Sequence, residues 1–290
     1  MTPPVGFYAI KAAATRARSA AWFARTGGRL DVRGLRILFY HRVADDRDEL
    51  AVTPRNFARQ MDYLASQSYR VVDVVTAADL LDRGTLPART IGLSFDDGYL
   101  DVAEHAMPIL AGHGFRATVF VPPQVIDGSG WFDGYRRCRQ PDVLDWDVIG
   151  ELDREGTLRF EAHTLTHPNL LLLDEHVARH EIEGSKAALE ARLGRLVQSF
   201  AYPGGLFGAR ERRLVREAGF RVAVSCEPGI NGPYTDRLAL RRRQVDARDS
   251  LLDFRAKLGG GHDTPLPLRA AYRRRAYGAS APEGEGARHF

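Results

Sequence analysis

An α/β fold of parallel strands joined by crossover helices is what the sequence predicts, on three observations. Short apolar runs alternate with stretches of helical periodicity, most of them ten residues or longer. Glycine stands just past four of those stretches, where a helix needs a left-handed stop. Seven strand–helix units then fit within roughly 220 residues, enough to close into a barrel rather than leave an open sheet.

In chain order, residues 1–34 form an extension that holds Lys11, Arg16, Arg18, Arg25 and Arg29 and no acid before Asp31. Its alanines, with Phe7, Tyr8, Trp22 and Phe23, suit a basic helix lying on an anionic membrane surface or on a partner, or else docked on its own chain. The first strand is expected over 35–40, followed by a helix over 53–67 that Thr53 caps and Pro54 opens. Residues 70–75 and 90–95 read as strands on either side of a short helix over 77–83. The next helix, 100–113, stops at Gly114 before the strand 117–121. A helix over 146–155 stops at Gly156 before the strand 158–162, and one over 175–193 stops at Gly194 before the strand 199–201. The helix 209–218 and Gly219 precede the last strand, 220–225. The main domain is expected over 35–257. Residues 258–290 read as a loose basic tail, with glycine at 259, 260 and 261 and the run Arg273, Arg274, Arg275.

Bulk properties narrow the class. The chain of 290 residues has 44% hydrophobic and 27% charged residues, ordinary values for a water-soluble domain with a substantial core. A net charge of +4 and the lack of a recognition motif give no reason to expect nucleic acid as a partner. Cys138 and Cys226 fit no disulfide framework and read as two buried thiols. No run is long and apolar enough to span a membrane, and the first residues lack the pattern of a secretory leader. The expected location is cytoplasmic, peripheral to a membrane through residues 1–30.

Three clusters carry chemistry. Ser94-Phe95-Asp96-Asp97-Gly98-Tyr99 ends a buried strand with two adjacent carboxylates, which are costly there unless paired. On extended backbone neighbouring side chains point apart, so one carboxylate can hold a cation while the other holds water. Asp-Asp-Gly is also ordinary turn chemistry. His163-Thr164-Leu165-Thr166-His167-Pro168 sets two imidazoles four residues apart, a spacing that suits a first-row metal. Thr164 stands where a zinc protease helix would need glutamate, and Pro168 pushes His167 toward extended backbone, so a loop is expected. One carboxylate with two imidazoles is a ligand set of hydrolytic metal sites that keep room for water, which leaves the second aspartate as general base. Phe200-Ala201-Tyr202-Pro203-Gly204-Gly205 ends another strand; Pro-Gly-Gly is by itself a turn signal, and the alternative is a backbone N–H set to meet an oxyanion.

Over residues 36 to 257 these motifs resemble the polysaccharide deacetylase family, the NodB-homology or carbohydrate esterase family 4 group. "SFDDGY" is similar to the family's T/S-F-D-D-G motif and "HTLTH" to its H-S/T-x-x-H motif. "ILFYHRV" and "SKAALEARLGRLVQSFAYPGG" are similar to a bacterial branch tied to exopolysaccharide metabolism. The resemblance implies a distorted (β/α)7 barrel and a hydrolase that removes acetyl groups, N-acetyl above all, from a carbohydrate. It implies Asp96 as catalytic base and Asp97, His163 and His167 as ligands of a divalent cation, zinc ahead of cobalt or nickel. Thr164 would brace the metal loop. The unopposed positive charge of residues 1–30, outside the resemblance, is expected to meet a membrane or an exopolysaccharide assembly.

Two departures stand out. Ala201 occupies the place of a motif arginine that orients the base, and Gly204 the place of a tyrosine, although the Gly204 N–H remains. The late histidine that serves as general acid is missing, since no histidine occurs between His180 and His262. His41, at the end of the first strand, is the candidate substitute, or else it packs behind the site. Competing readings are an allantoinase-like C–N hydrolase on the same barrel and a non-catalytic carbohydrate-binding or scaffold protein. Trp131, Tyr135 and Trp146 offer faces on which a sugar can stack, or belong to the core.

Overall fold

Side chains alternate between two buried faces along each apolar run, which is why these runs form strands of a covered parallel sheet. The computed structural model describes residues 5–29, 34–46, 48–130, 132 and 141–263. Its strands are β1 (Arg36–Tyr40), β2 (Arg42–Val43), β3 (Ala51–Val52), β4 (Arg70–Val72), β5 (Thr90–Asp96), β6 (Ala117–Val121), β7 (Leu158–Ala162), β8 (Ser199–Ala201), β9 (Val222–Val224) and β10 (Arg243–Gln244). The helices are α1 (Val5–Thr26), α2 (Pro54–Ser66), α3 (Val74–Asp82), α4 (Met107–Gly112), α5 (Pro123–Ile126), α6 (Trp146–Glu155), α7 (Glu175–Leu193), α8 (Ala209–Glu217) and α9 (Leu251–Leu258).

All seven expected strands join one parallel sheet, in the order β10, β1, β5, β6, β7, β8, β9, with β4 added beside β5. The eighth member, β10, pairs Arg243 with Leu38 and Gln244 with Phe39. β2 and β3 pair outside this sheet. The two ends of the sheet approach each other where Leu240, just before β10, bridges Val224 of β9. The result is a curled, incomplete barrel of the distorted (β/α) type.

One face of the sheet packs Leu38, Tyr40, Leu93, Phe95, Val119 and Phe160 against the surrounding helices. The opposite face gathers Ile37, Phe120, Ala201, Val222, Val224 and Leu240 inside the curl. Asp96 alternates with Phe95 and so turns into that interior, at the carboxyl end of its strand.

The helices begin and end largely as their caps dictate. Thr53 caps α2, its hydroxyl accepting from Asn56 N at 3.2 Å. Gly156 and Gly194 end α6 and α7 with φ of 86° and 66°. The strand expected over 70–75 stops at Val72, because Asp73 accepts from Thr76 N at 2.9 Å and starts α3. The helix expected over 100–113 is a π-helical turn over Val102–Ala106 that runs into α4.

Within the N-terminal extension, α1 docks on α9. Ser19 and Trp22 are buried in the docked helix. Ser19 Oγ donates to Asp253 Oδ1 at 2.7 Å and meets His262 Nε2 at 3.0 Å. The expected domain end at 257 falls inside α9, and Arg36 pairs with Asp263 at 2.9 Å, so packing continues to 263. No helix among the described residues is long and apolar enough to cross a membrane. Cys226 is half-buried rather than buried. Trp131, Tyr135, Cys138, Arg273, Arg274 and Arg275 lie outside the described residues.

Candidate metal centre

Asp97 follows β5 directly, and the loop after β7 carries His163 and His167 to the same rim. One ligand atom from each of the three lies within 4.8 Å of the others. Asp97 Oδ1 stands 3.6 Å from His163 Nε2 and 3.5 Å from His167 Nε2, too far for good hydrogen bonds. Two ligands each about 2.1 Å from a shared ion, at tetrahedral angles, stand roughly 3.4 Å apart. Asp97 Oδ1 is also buried without a hydrogen-bond partner among the described residues. A buried, orphaned carboxylate oxygen facing two imidazole nitrogens fits a divalent cation.

The backbone is bent to make this cluster. Asp97, Thr164 and His167 have φ of 77°, 62° and 61°, a region that costs a non-glycine residue about 1–3 kcal/mol and gathers at functional sites. His167 thus leaves the helical region, but into positive φ rather than the extended backbone expected before Pro168. The reason is local: Thr164 Oγ1 accepts from His167 N at 3.0 Å and donates to the His163 carbonyl, closing the turn.

Support for the ligands comes from behind. His163 Nδ1 meets the Ala201 carbonyl at 2.7 Å, which assigns the proton to Nδ1 and leaves the Nε2 lone pair facing Asp97. Burial, and then the neighbouring His167, pull the His163 imidazole down to about 3, so it is neutral at pH 7. Glu181 on α7 accepts from Leu165 N and Thr166 N, both at 2.9 Å, and from Thr166 Oγ1 at 2.7 Å. Gly184 lets that helix approach, since a Cβ there would come 2.6 Å from Leu165 Cδ1.

Asp96 has a different environment. Both its oxygens accept from Arg242, at 2.6 and 2.8 Å, and Arg242 also donates to Ser225 O at 3.0 Å and Ser94 Oγ at 3.1 Å. The guanidinium is fully buried, 4.4 Å from the centre of the Phe39 ring. Burial by itself would raise the Asp96 carboxyl, but Arg242 and then His163 outweigh it and hold it below the usual range. Burial pushes Asp97 up to about 6, against the pull of His41. The two adjacent aspartates therefore differ in environment as well as in direction.

The orienting charge missing at Ala201 is supplied by Arg242, immediately before β10. Sequence reading missed Arg242 and Glu181. The alternation Leu238, Leu240, Arg242 was the available sign that this arginine turns inward. His41 follows β1 and lies close enough to act electrostatically on both aspartates. Gly204 is exposed with φ of 60°, three residues beyond the carbonyl that holds His163. Trp146 lies under the Arg192 guanidinium at 5.0 Å and donates to Asp127, outside the metal cluster.

Comparison with known proteins places this arrangement among relatives. Residues 83–223 match the family described as polysaccharide deacetylase. IcaB from Ammonifex degensii superposes with a TM-score of 0.69 at 28% identity, covering 81% of this chain and 100% of that one. The Streptococcus pyogenes deacetylase PplD, in complex with acetate, gives 0.65 at 23% identity over 74% and 93% of the two chains, a likeness of fold. The poly-beta-1,6-N-acetyl-D-glucosamine N-deacetylase of Staphylococcus aureus is 21% identical over 70% of this chain and 72% of its own length.

Proposed function

We propose that this chain is a polysaccharide deacetylase, as its family match over residues 83–223 supports, and that it hydrolyses acetyl groups, N-acetyl first, from a polysaccharide, oligosaccharide or sugar conjugate. The observation that carries this reading is the Arg242–Asp96 clamp set beside the Asp97–His163–His167 cluster. A non-catalytic binding protein has no use for an ionised, oriented carboxylate next to a complete set of metal ligands.

Asp97, His163 and His167 would hold the divalent cation, zinc by the two-imidazole, one-carboxylate donor set. When bound, such a cation polarises a carbonyl and acidifies water. The chain's own residues do the rest. Asp96, kept ionised by Arg242, accepts a proton from the attacking water while its other lone pairs stay on the guanidinium. His163 holds its proton at Nδ1 against Ala201 O, which fixes the ring. His41 delivers a proton to the leaving nitrogen as the C–N bond breaks.

The test is acetate release from N-acetylglucosamine oligomers, with metal content measured on the same protein. Asp96→Asn is expected to abolish turnover and keep the metal, whereas Asp97→Ala loses both. Equal metal loss in the two variants would refute the division of roles.

A further inference from the structure

The two imidazole ligands are held in different ways. The His163 ring is tied through Nδ1 to the Ala201 carbonyl, and its side chain is only 2% exposed. The His167 side chain is 25% exposed, so its ring has more freedom to lose. Two rings flank it: His163, with centroids 4.7 Å apart, and Phe132, which meets it edge to face at 5.2 Å and 84°. Phe132 comes from the segment between α5 and α6, is buried, and packs against the Tyr99 ring at 5.5 Å.

Tyr99 reaches the same place from the strand end that carries the carboxylate ligand. Gly98, with φ of 73°, turns the chain directly after Asp97, and a Cβ there would come 2.7 Å from Val121 Cγ1. Backbone bonds to the residues before α6 then fix the chain: Leu144 N donates to Gly98 O and Leu100 N to Asp142 O, both at 2.9 Å. Tyr99 is thereby buried in one apolar cluster with Val125 and Phe132, and the Arg42 guanidinium stands 5.5 Å from its ring centre. Burial raises the Asp97 carboxyl, and a hydrogen bond from Tyr99 is among the contacts that pull it back down.

We propose that Phe132 and Tyr99 are positioning residues of the metal centre: Phe132 sets the plane of the His167 imidazole, and Tyr99 backs Phe132 while bearing on Asp97. Asp97 and His167 both stand at positive φ, a conformation that persists only where the surrounding contacts over-determine it. Edge-to-face contact is a preferred geometry between aromatic rings, so it selects one ring orientation as well as covering the ring. One aromatic pair thus links two ligands that arrive from different strand ends. The inference rests on the metal-dependent reading given above.

The full-length wild type, Tyr99→Phe and Phe132→Leu are stripped of metal and titrated with zinc in competition with a chelator. Cobalt(II) absorption reports the ligand geometry, and thermal unfolding of the metal-free protein reports the packing. Tyr99→Phe keeps the ring and removes the hydroxyl; it is expected to weaken zinc binding about tenfold, as loss of an outer-shell partner does, with the metal-free Tm unchanged. Phe132→Leu keeps apolar bulk without the ring edge; it is expected to weaken zinc binding up to about tenfold and to shift the cobalt bands. If Phe132→Leu does not fold, Tyr99→Phe decides. A lower metal-free Tm with zinc affinity and cobalt bands at their wild-type values is the mark of a purely structural role and overturns the proposal. A wild type that binds neither ion overturns the metal reading together with this inference, whereas a wild type that binds both, with unchanged variants, overturns this inference alone.

Discussion

Arg242 grips Asp96 through both carboxylate oxygens, Nη1 to Oδ1 at 2.6 Å and Nη2 to Oδ2 at 2.8 Å, across 146 residues of sequence. Both partners are buried, so each offsets the cost of burying the other's charge.

Replacing Arg242 by methionine is therefore expected to cost about 3–5 kcal/mol, the penalty for stranding a buried charge. Because Arg242 depresses the Asp96 pKa, the pair stabilises the fold above the usual carboxylate range and loses that contribution as pH falls through the depressed value. In Arg242→Met the Asp96 pKa rises, so the acid limb of the pH–rate profile moves to higher pH while bound metal is retained. Urea unfolding, metal analysis and the pH profile check the three parts.

Glu181 is expected to act on the metal through the loop it holds. Glu181→Ala removes the acceptor for Leu165 N, Thr166 N and Thr166 Oγ1 and should weaken metal affinity about 10–100-fold, as loss of an outer-shell partner does. Competition with a chelator measures it. An unchanged affinity would show that the positive φ of Thr164 and His167 is held by other contacts.

His41 should matter by substrate. Positioned acid catalysis contributes about 10²–10⁴-fold, and an amide needs a proton on nitrogen where an activated ester does not. His41→Ala is expected to slow an N-acetyl substrate far more than p-nitrophenyl acetate. Equal slowing of both would place the acid elsewhere.

His262 links the docking of α1 to pH. Burial, and then Lys257, lower its imidazole to about 3, so it is neutral in the fold and charged below about 6.5 when unfolded. The folded state then binds fewer protons, so stability is highest above pH 6.5 and is lost as pH falls from there toward 3. His262→Gln should reduce the difference in Tm between pH 7.5 and pH 5, measured by thermal unfolding.

The parallel α/β architecture, its seven strands and the three candidate metal ligands were legible in the order of residues. These features are local: apolar runs, glycine stops, and ligands held in short motifs at strand ends. Which charge orients Asp96 was not legible. Arg242 sits in a basic run that reads as surface, and only the return of β10 beside β1 brings it under Asp96. Packing likewise selects Glu181, one charge among many on α7, to hold the metal loop, and sets α1 on α9. A short motif carries its own geometry, but a partner drawn from a distant strand or helix is fixed only by the packing that brings the two together.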